Sequence, residues 1–178
     1  AEKLVSREKM TPEVQAAIAS NLQPAGDLSA LAECDLAIEA ASENETIKNT
    51  IFAELCPALK PEAIIATNTS SLSITRLAQK TDRPEKFMGI HFMNPVPVMK
   101  LVELVRGIAT EEDTYQAGKN YVDSLGKTAT VSEDFPAFIV NRILIPMINE
   151  AIYTLYEGVG DVLSIDQSMK LGANHPMG

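Results

Sequence analysis

Basic residues are scarce in this sequence: 15 lysines and arginines stand against 24 aspartates and glutamates, for a formal net charge of -9 over 178 residues. That sign argues against nucleic acid or an anionic membrane as the main partner, because phosphate-driven attraction is reversed overall. An anionic small molecule can still be received by local groups. Cysteine is scarcer still. Cys34 and Cys56 have no second pair for a zinc set or a disulfide framework, and they read as buried, reduced thiols of a cytoplasmic protein. The chain opens Ala1-Glu2-Lys3-Leu4, without a basic-then-apolar or Arg-rich leader pattern, and its longest apolar stretch, from Ala137, breaks at Asn141-Arg142. No targeting or transmembrane segment is expected. No G-x-G-x-x-G occurs either: Gly158-Val159-Gly160 lacks the third glycine and follows a helical stretch, so it reads as a helix-ending turn.

What is present suffices for a core. Apolar residues make up 46% of the chain, and a domain of about 150 residues buries roughly 70% of its unfolded surface without disulfides or metals. From Asp35 to about Val131 short apolar runs alternate with amphipathic stretches, as strands and crossover helices of a parallel sheet do. Leu36-Ala37-Ile38 predicts a first strand. Ser42-Glu43-Asn44-Glu45 has capping-box spacing, and Ile47, Ile51, Leu55 and Leu59 recur down one helical face, which Pro57 is expected to end early. Ala63 to Ala66 predicts a second strand, Thr67 to Ser71 a turn and Leu72 to Gln79 a short helix. Phe87 to Phe92 predicts a third strand, Asn94-Pro95-Val96-Pro97 a rigid loop and Leu101 to Val105 a further strand. Glu111 to Leu125 predicts a helix closed by Gly126, followed by a strand from Lys127 to Val131.

After Ser132-Glu133-Asp134 the pattern turns all-helical, with Phe138 to Tyr156 as a long apolar helix, kinked or interrupted at Pro146, and Ser164 to Leu171 as a second. The long helix is apolar around most of its circumference, which suggests burial against another domain or subunit. The fold expected is α/β: a partial doubly wound, Rossmann-like sheet over residues 1–133, then the first helices of a C-terminal domain over 134–178.

A doubly wound sheet receives its ligand outside the carboxyl ends of its strands. The polar residues there are Ser42 to Asn44, Asn68 to Ser71 and His91 to Asn94. His91 is either a proton acceptor for an alcohol or a core histidine satisfied by backbone groups. Glu103, on the next strand, either orients that ring or is solvated. Ser70 is a substrate hydroxyl, a turn residue or a helix cap; Glu43 fits a first-turn carboxylate, and Lys48 a solvated helix face. Asn141, an amide in an apolar helix, needs hydrogen-bond partners, and Asn94 is a turn former or a ligand contact. His175 reads as a surface turn residue, and Lys3, Arg7 and Lys9 as a modest basic cluster on a solvated helical face.

The string from His91 through Asn94, Pro95 and Lys100 to Glu103 resembles the signature of short-chain L-3-hydroxyacyl-CoA dehydrogenases. Thr67 to Ser71 and Phe138 to Arg142 resemble two further blocks of that family in the same order, and Asn141 to Ala151 and Met169 to Gly178 are most similar to its bacterial branch acting on 3-hydroxybutyryl-CoA. The resemblance covers essentially the whole chain. It implies an oxidoreductase that interconverts L-3-hydroxyacyl-CoA and 3-ketoacyl-CoA by hydride transfer with NAD(H), short acyl chains favoured. It implies His91 as acid/base, Glu103 as its orienting carboxylate, Ser70 and Asn141 as substrate-binding residues, and Glu43, Lys48 and Asn94 as contacts to the nicotinamide dinucleotide. NAD follows from the resemblance, with NADP left open because the residue that would select between them belongs before Ala1. A homodimer or higher oligomer through the helical segment is implied too.

The family's opening strand, glycine-rich turn and first helix would precede Ala1, and further helices would follow Gly178, so the chain is expected to be an internal portion. Two other readings stay open. One is a catalytically incomplete chain that at most binds acyl-CoA or dimerises; the other is a related dehydrogenase of sugar acids with the same His and Glu pair. Pro136-Ala137 stands where the family usually has Pro-Gly, and Ala137 would be strained if that site needs positive φ.

Overall fold

The structure, a computed structural model, describes residues 10–178; the basic cluster expected at Lys3, Arg7 and Lys9 lies outside them. The apolar runs become five strands of one sheet, β1 Leu36–Glu39, β2 Ile64–Thr67, β3 Phe87–Phe92, β4 Leu101–Arg106 and β5 Thr128–Glu133, side by side in chain order. The helices are α1 Pro12–Ser20, α2 Glu45–Ala58, α3 Ile74–Ala78, α4 Glu112–Ser124, α5 Val140–Tyr156 and α6 Val162–Gln167. The expected parallel pairing holds for β1 with β2, β2 with β3 and β4 with β5, but β3 and β4 run antiparallel. The reason is length: the stretch from Met93 to Lys100 is too short for a helical crossover, which needs a dozen or more residues, so β4 must turn straight back.

Alternation along the strands sorts the core into two faces. Ala37, Ile65, Phe87 and Val105 pack with Phe52, Leu55 and Cys56 of α2, with Leu59 just after it, and with Ile74 and Leu77 of α3. Ala66, Met88, Ile90, Val102 and Leu104 pack on the other face with Val122 of α4. On the first face α3 lies close to the sheet because Gly89 has no side chain: a Cβ there would come within 2.9 Å of both Ile74 Cδ1 and Val105 Cβ.

Several local expectations change. The cap of α2 is Asn44, whose side chain accepts from the Ile47 N–H, not Ser42. The buried face of α2 carries Lys48, Phe52, Leu55 and Cys56, with Ile47 exposed, and the helix runs one residue past Pro57. The cap of α3 is Ser73, not Ser70, so the helix starts later than Leu72. α5 passes Pro146 without interruption, and α6 begins at an Asp161 cap and ends in a π turn over Ser168–Gly172. Cys56 is buried, burial pushing its thiol pKa up, and Cys34 is half-buried; both are free. His175 is half-buried in the final turn, with Nδ1 2.6 Å from the Met177 carbonyl. Gly126 and Gly158 close their helices at positive φ, as the sequence predicts.

The row Ile145, Ile148, Ile152 and Tyr156 on α5 is exposed, beside an apolar cavity of about 820 Å³ between α5 and α6. Among the described residues no helix is long and apolar enough to cross a membrane.

Candidate active site

On the face that carries α2 and α3, the last inward residues of the three parallel strands are Glu39, Thr67 and His91, all buried. Apolar alternation thus ends, on each strand, in a polar side chain at the carboxyl edge. His91 pairs across β3 and β4 with Glu103, which is fully buried. Nδ1 of the imidazole lies 2.8 Å from Glu103 Oε2 and Nε2 lies 3.0 Å from Ser70 Oγ. The other carboxylate oxygen, Oε1, accepts the backbone N–H groups of Ile139 and Val140 at 3.0 and 2.9 Å, where α5 begins. A carboxylate oxygen filled by two backbone donors leaves its twin to accept Nδ1–H. Nε2 then presents its lone pair towards Ser70, the tautomer a proton acceptor requires.

Ser70 reaches the ring because its turn is held from outside. Glu43 Oε1 accepts from the Thr69 hydroxyl at 2.6 Å, the Ser70 and Ser71 N–H groups at 2.9 and 3.0 Å, and the Ser71 hydroxyl at 2.9 Å. Partial burial works against ionisation of Glu43, but these donors and the Lys48 charge hold its carboxyl below the usual range. Glu43 therefore orders the turn after β2, a role beyond the first-turn carboxylate that its position suggests and the dinucleotide contact that the resemblance implies. Asn68 closes the next gap, accepting from the Phe92 N–H at 2.8 Å and so tying the turn to the end of β3.

Lys48 is not on a solvated face. Its side chain is 1% exposed, with Nζ 2.9 and 2.8 Å from the two oxygens of Glu39 and 3.8 Å from Glu43 Oε2. Glu39 also accepts from the Thr67 hydroxyl at 2.7 Å and the Ala41 N–H at 2.6 Å. This pair is well bonded, as burying two charges requires.

The entry to α5 supplies the last wall. Ala137 and Phe138 take φ of 66° and 54°, so the positive φ considered for Ala137 is present. Left-handed backbone at two non-glycine residues costs about 1–2 kcal/mol each. It is held by the Phe138 side chain, buried in the core, and by the two bonds from α5 to Glu103. The Phe138 ring meets His91 edge-on, centroids 5.6 Å apart.

The structure thus brings Ser70, His91 and Glu103 into direct contact, with Glu43 one step behind Ser70. Asn141 stands in the first turn of α5, half-buried, and among the described residues its side chain makes no hydrogen bond. Asn94 is exposed in the loop after β3, preceding a cis Pro95. The bland readings of His91 and Glu103, a ring satisfied by backbone and a solvated carboxylate, both give way to the pair. Sequence reasoning passed over Glu39, Thr67, Asp134 and Phe138. Only Glu39 and Thr67 left a signal, as polar residues ending apolar strands in phase with buried neighbours.

Comparison with known proteins reports two family matches, "3-hydroxyacyl-CoA dehydrogenase, NAD binding domain" over residues 1–135 and "3-hydroxyacyl-CoA dehydrogenase, C-terminal domain" over 138–178. A 3-hydroxybutyryl-CoA dehydrogenase of Bradyrhizobium diazoefficiens is 64% identical over 174 residues, covering 98% of this chain and 59% of that protein. One of Clostridioides difficile is 46% identical over 176 residues, 99% of this chain and 63% of that protein. The crystal structure of an (S)-3-hydroxybutyryl-CoA dehydrogenase from Ralstonia eutropha superposes with a TM-score of 0.96 at 44% identity, over 99% of this chain and 62% of that one. The chain therefore spans about three-fifths of the length of these relatives.

Proposed function

The chain belongs to the 3-hydroxyacyl-CoA dehydrogenase family, and on that premise we propose that it carries the acid/base centre of an enzyme interconverting L-3-hydroxyacyl-CoA and 3-ketoacyl-CoA. The observation that supports this most directly is His91 held between Ser70 and Glu103 at the carboxyl edge of the sheet. In the oxidising direction His91 Nε2 takes the proton of the 3-hydroxyl; in reduction it returns that proton to the 3-keto oxygen. Glu103 fixes the tautomer and stabilises the imidazolium that forms, while Ser70 and Asn141 bind the reacting oxygen and the acyl group. A short acyl chain is favoured, in keeping with the relatives named for 3-hydroxybutyryl-CoA.

The residues present fit the nicotinamide end of a dinucleotide: the partly exposed Glu43 carboxylate and the exposed Asn94 amide offer an acceptor and a donor at the strand edge. When bound, NAD(H) accepts or supplies the hydride at C3. Lys48, buried against Glu39, serves that edge by charge and by its hold on Glu43. The reading places the boundary between cofactor and helical domains at residues 133 and 134, where the strand pattern ends. It includes a cytoplasmic location, supported by the free Cys34 and Cys56, and self-association through the exposed apolar row of α5.

The test is acetoacetyl-CoA-dependent oxidation of NADH, with the intact mass of the same sample verified and with His91→Ala as control. Turnover that disappears in His91→Ala supports the reading; a fully active His91→Ala protein sinks it.

A further inference from the structure

We propose that Asp134 is a positioning residue for His91, fastening the turn that presents Ser70 to the segment that presents Phe138. Asp134 follows directly on β5, and its carboxylate reaches across some sixty positions of chain. Oδ1 accepts the Ile74 N–H at 2.8 Å; Oδ2 accepts the Thr75 N–H and the Ser73 hydroxyl, both at 2.8 Å. Burial works against its ionisation, but these donors hold the carboxyl below its usual range, so the three bonds are charge-assisted at neutral pH.

Ser73, the local cap, fills only the third amide of α3, and Asp134 takes the first two from a distant stretch of chain. Ser73 Oγ accepts from the Arg76 N–H at 3.2 Å while its own proton goes to Asp134. What the Asp134 carboxylate adds is a tie between two distant stretches of chain. Ser70 lies three residues before Ser73, in a turn gripped on its other side by Glu43. Phe138 lies four residues after Asp134, and its ring bears on His91. The stretches that carry both lateral contacts of the imidazole, Ser70 Oγ on Nε2 and the Phe138 edge on the ring, are therefore tied to each other through Asp134, in addition to their own holds on Glu43 and Glu103. Sub-ångström placement of a proton acceptor decides whether a bound substrate is in line with it.

The inference rests on the acid/base reading of His91, and its test is read without substrate. In the 178-residue chain labelled with nitrogen-15 histidine, the shifts of Nδ1 and Nε2 report tautomer and hydrogen bonding; His175→Gln assigns the two rings. Ser70→Ala moves the His91 Nε2 signal, and Asp134→Asn moves it in the same direction. Should Asp134→Asn fail to fold, Ser73→Ala, which removes one of the three bonds together with the cap bond from Arg76, moves it by a smaller amount. A folded Asp134→Asn or Ser73→Ala chain with lower thermal stability but an unmoved Nε2 signal overturns the proposal, as does a Ser70→Ala chain with no shift. Shifts as expected in a chain that does not oxidise NADH would leave the positioning role standing and favour the catalytically incomplete reading of this chain.

Discussion

His91 and Glu103 are register partners across the antiparallel β3 and β4 pair, so the backbone ladder itself delivers Nδ1 to 2.8 Å from Oε2. The short connection that forced β4 to turn back is what makes this pairing available. A parallel β4 would have placed its residues in a different register and sent its carboxyl edge the other way.

Replacing Glu103 by Gln keeps shape and burial but puts an amide where two different donors meet. One end of the amide cannot accept, so either the imidazole or the α5 N–H groups lose their partner. Turnover of acetoacetyl-CoA with NADH is expected to fall by about 10²- to 10⁴-fold. The melting temperature should drop as well, because a buried donor is left unpaired. Steady-state kinetics and thermal melts on the same sample check both; unchanged kcat would remove Glu103 from the mechanism.

The buried pair of Lys48 and Glu39 is expected to behave asymmetrically. Lys48→Met strands a buried carboxylate and costs about 3–5 kcal/mol of stability. Adding Glu39→Gln removes the stranded charge and keeps an acceptor for one of the two donors, Thr67 or Ala41, which bond to different oxygens, so the double variant recovers part of that loss. Urea midpoints of the two singles and the double decide it, and a simple sum of the single effects would contradict the coupling.

Asp134 and Glu43 both have carboxyl pKa values depressed by the fold. The unfolded chain therefore binds more protons than the native one in the acid range, and stability rises with pH there. The contribution is present above the unfolded value near pH 4 and is lost as pH falls through the folded values. Melting temperature followed from neutral pH down to about pH 3 should fall more gently in Asp134→Asn than in the parent chain. Parallel curves would show that Asp134 titrates alike in both states.

Ala137 sits at φ 66°, and glycine relieves that strain at the cost of a looser unfolded chain. The balance favours Ala137→Gly by about 0.5–1 kcal/mol. Denaturant midpoints measure it, and a destabilised variant would mean that Ala137 makes packing contacts worth more than its strain.

Which of these features the sequence disclosed depends on how local their cause is. His91 and Ser70 stand at or just after strand ends, where alternation and turn chemistry mark position, Glu103 lies within β4, and the resemblance names all three. Lys48 was misplaced because the apolar stripe through Ile47 and Ile51 suggested one face of α2, while the Glu39 carboxylate, nine residues back, turns the helix so that Lys48 and Phe52 face inward. Asp134 left no local mark: its partners at Ser73, Ile74 and Thr75 lie on the far side of three strands in sequence. The cap shift from Ser70 to Ser73 also depends on a distant partner, since Glu43 holds the Ser70 and Ser71 amides in the turn after β2.

Glu103 divides its two oxygens between the imidazole and the amides that open α5. Moving the helical segment away from the sheet would break the amide bonds and free the carboxylate to rotate off the ring. The ladder would still bring the two residues opposite each other, but the carboxylate would have lost one of its two holds, so the aim of the imidazole depends in part on the helical segment staying against the sheet.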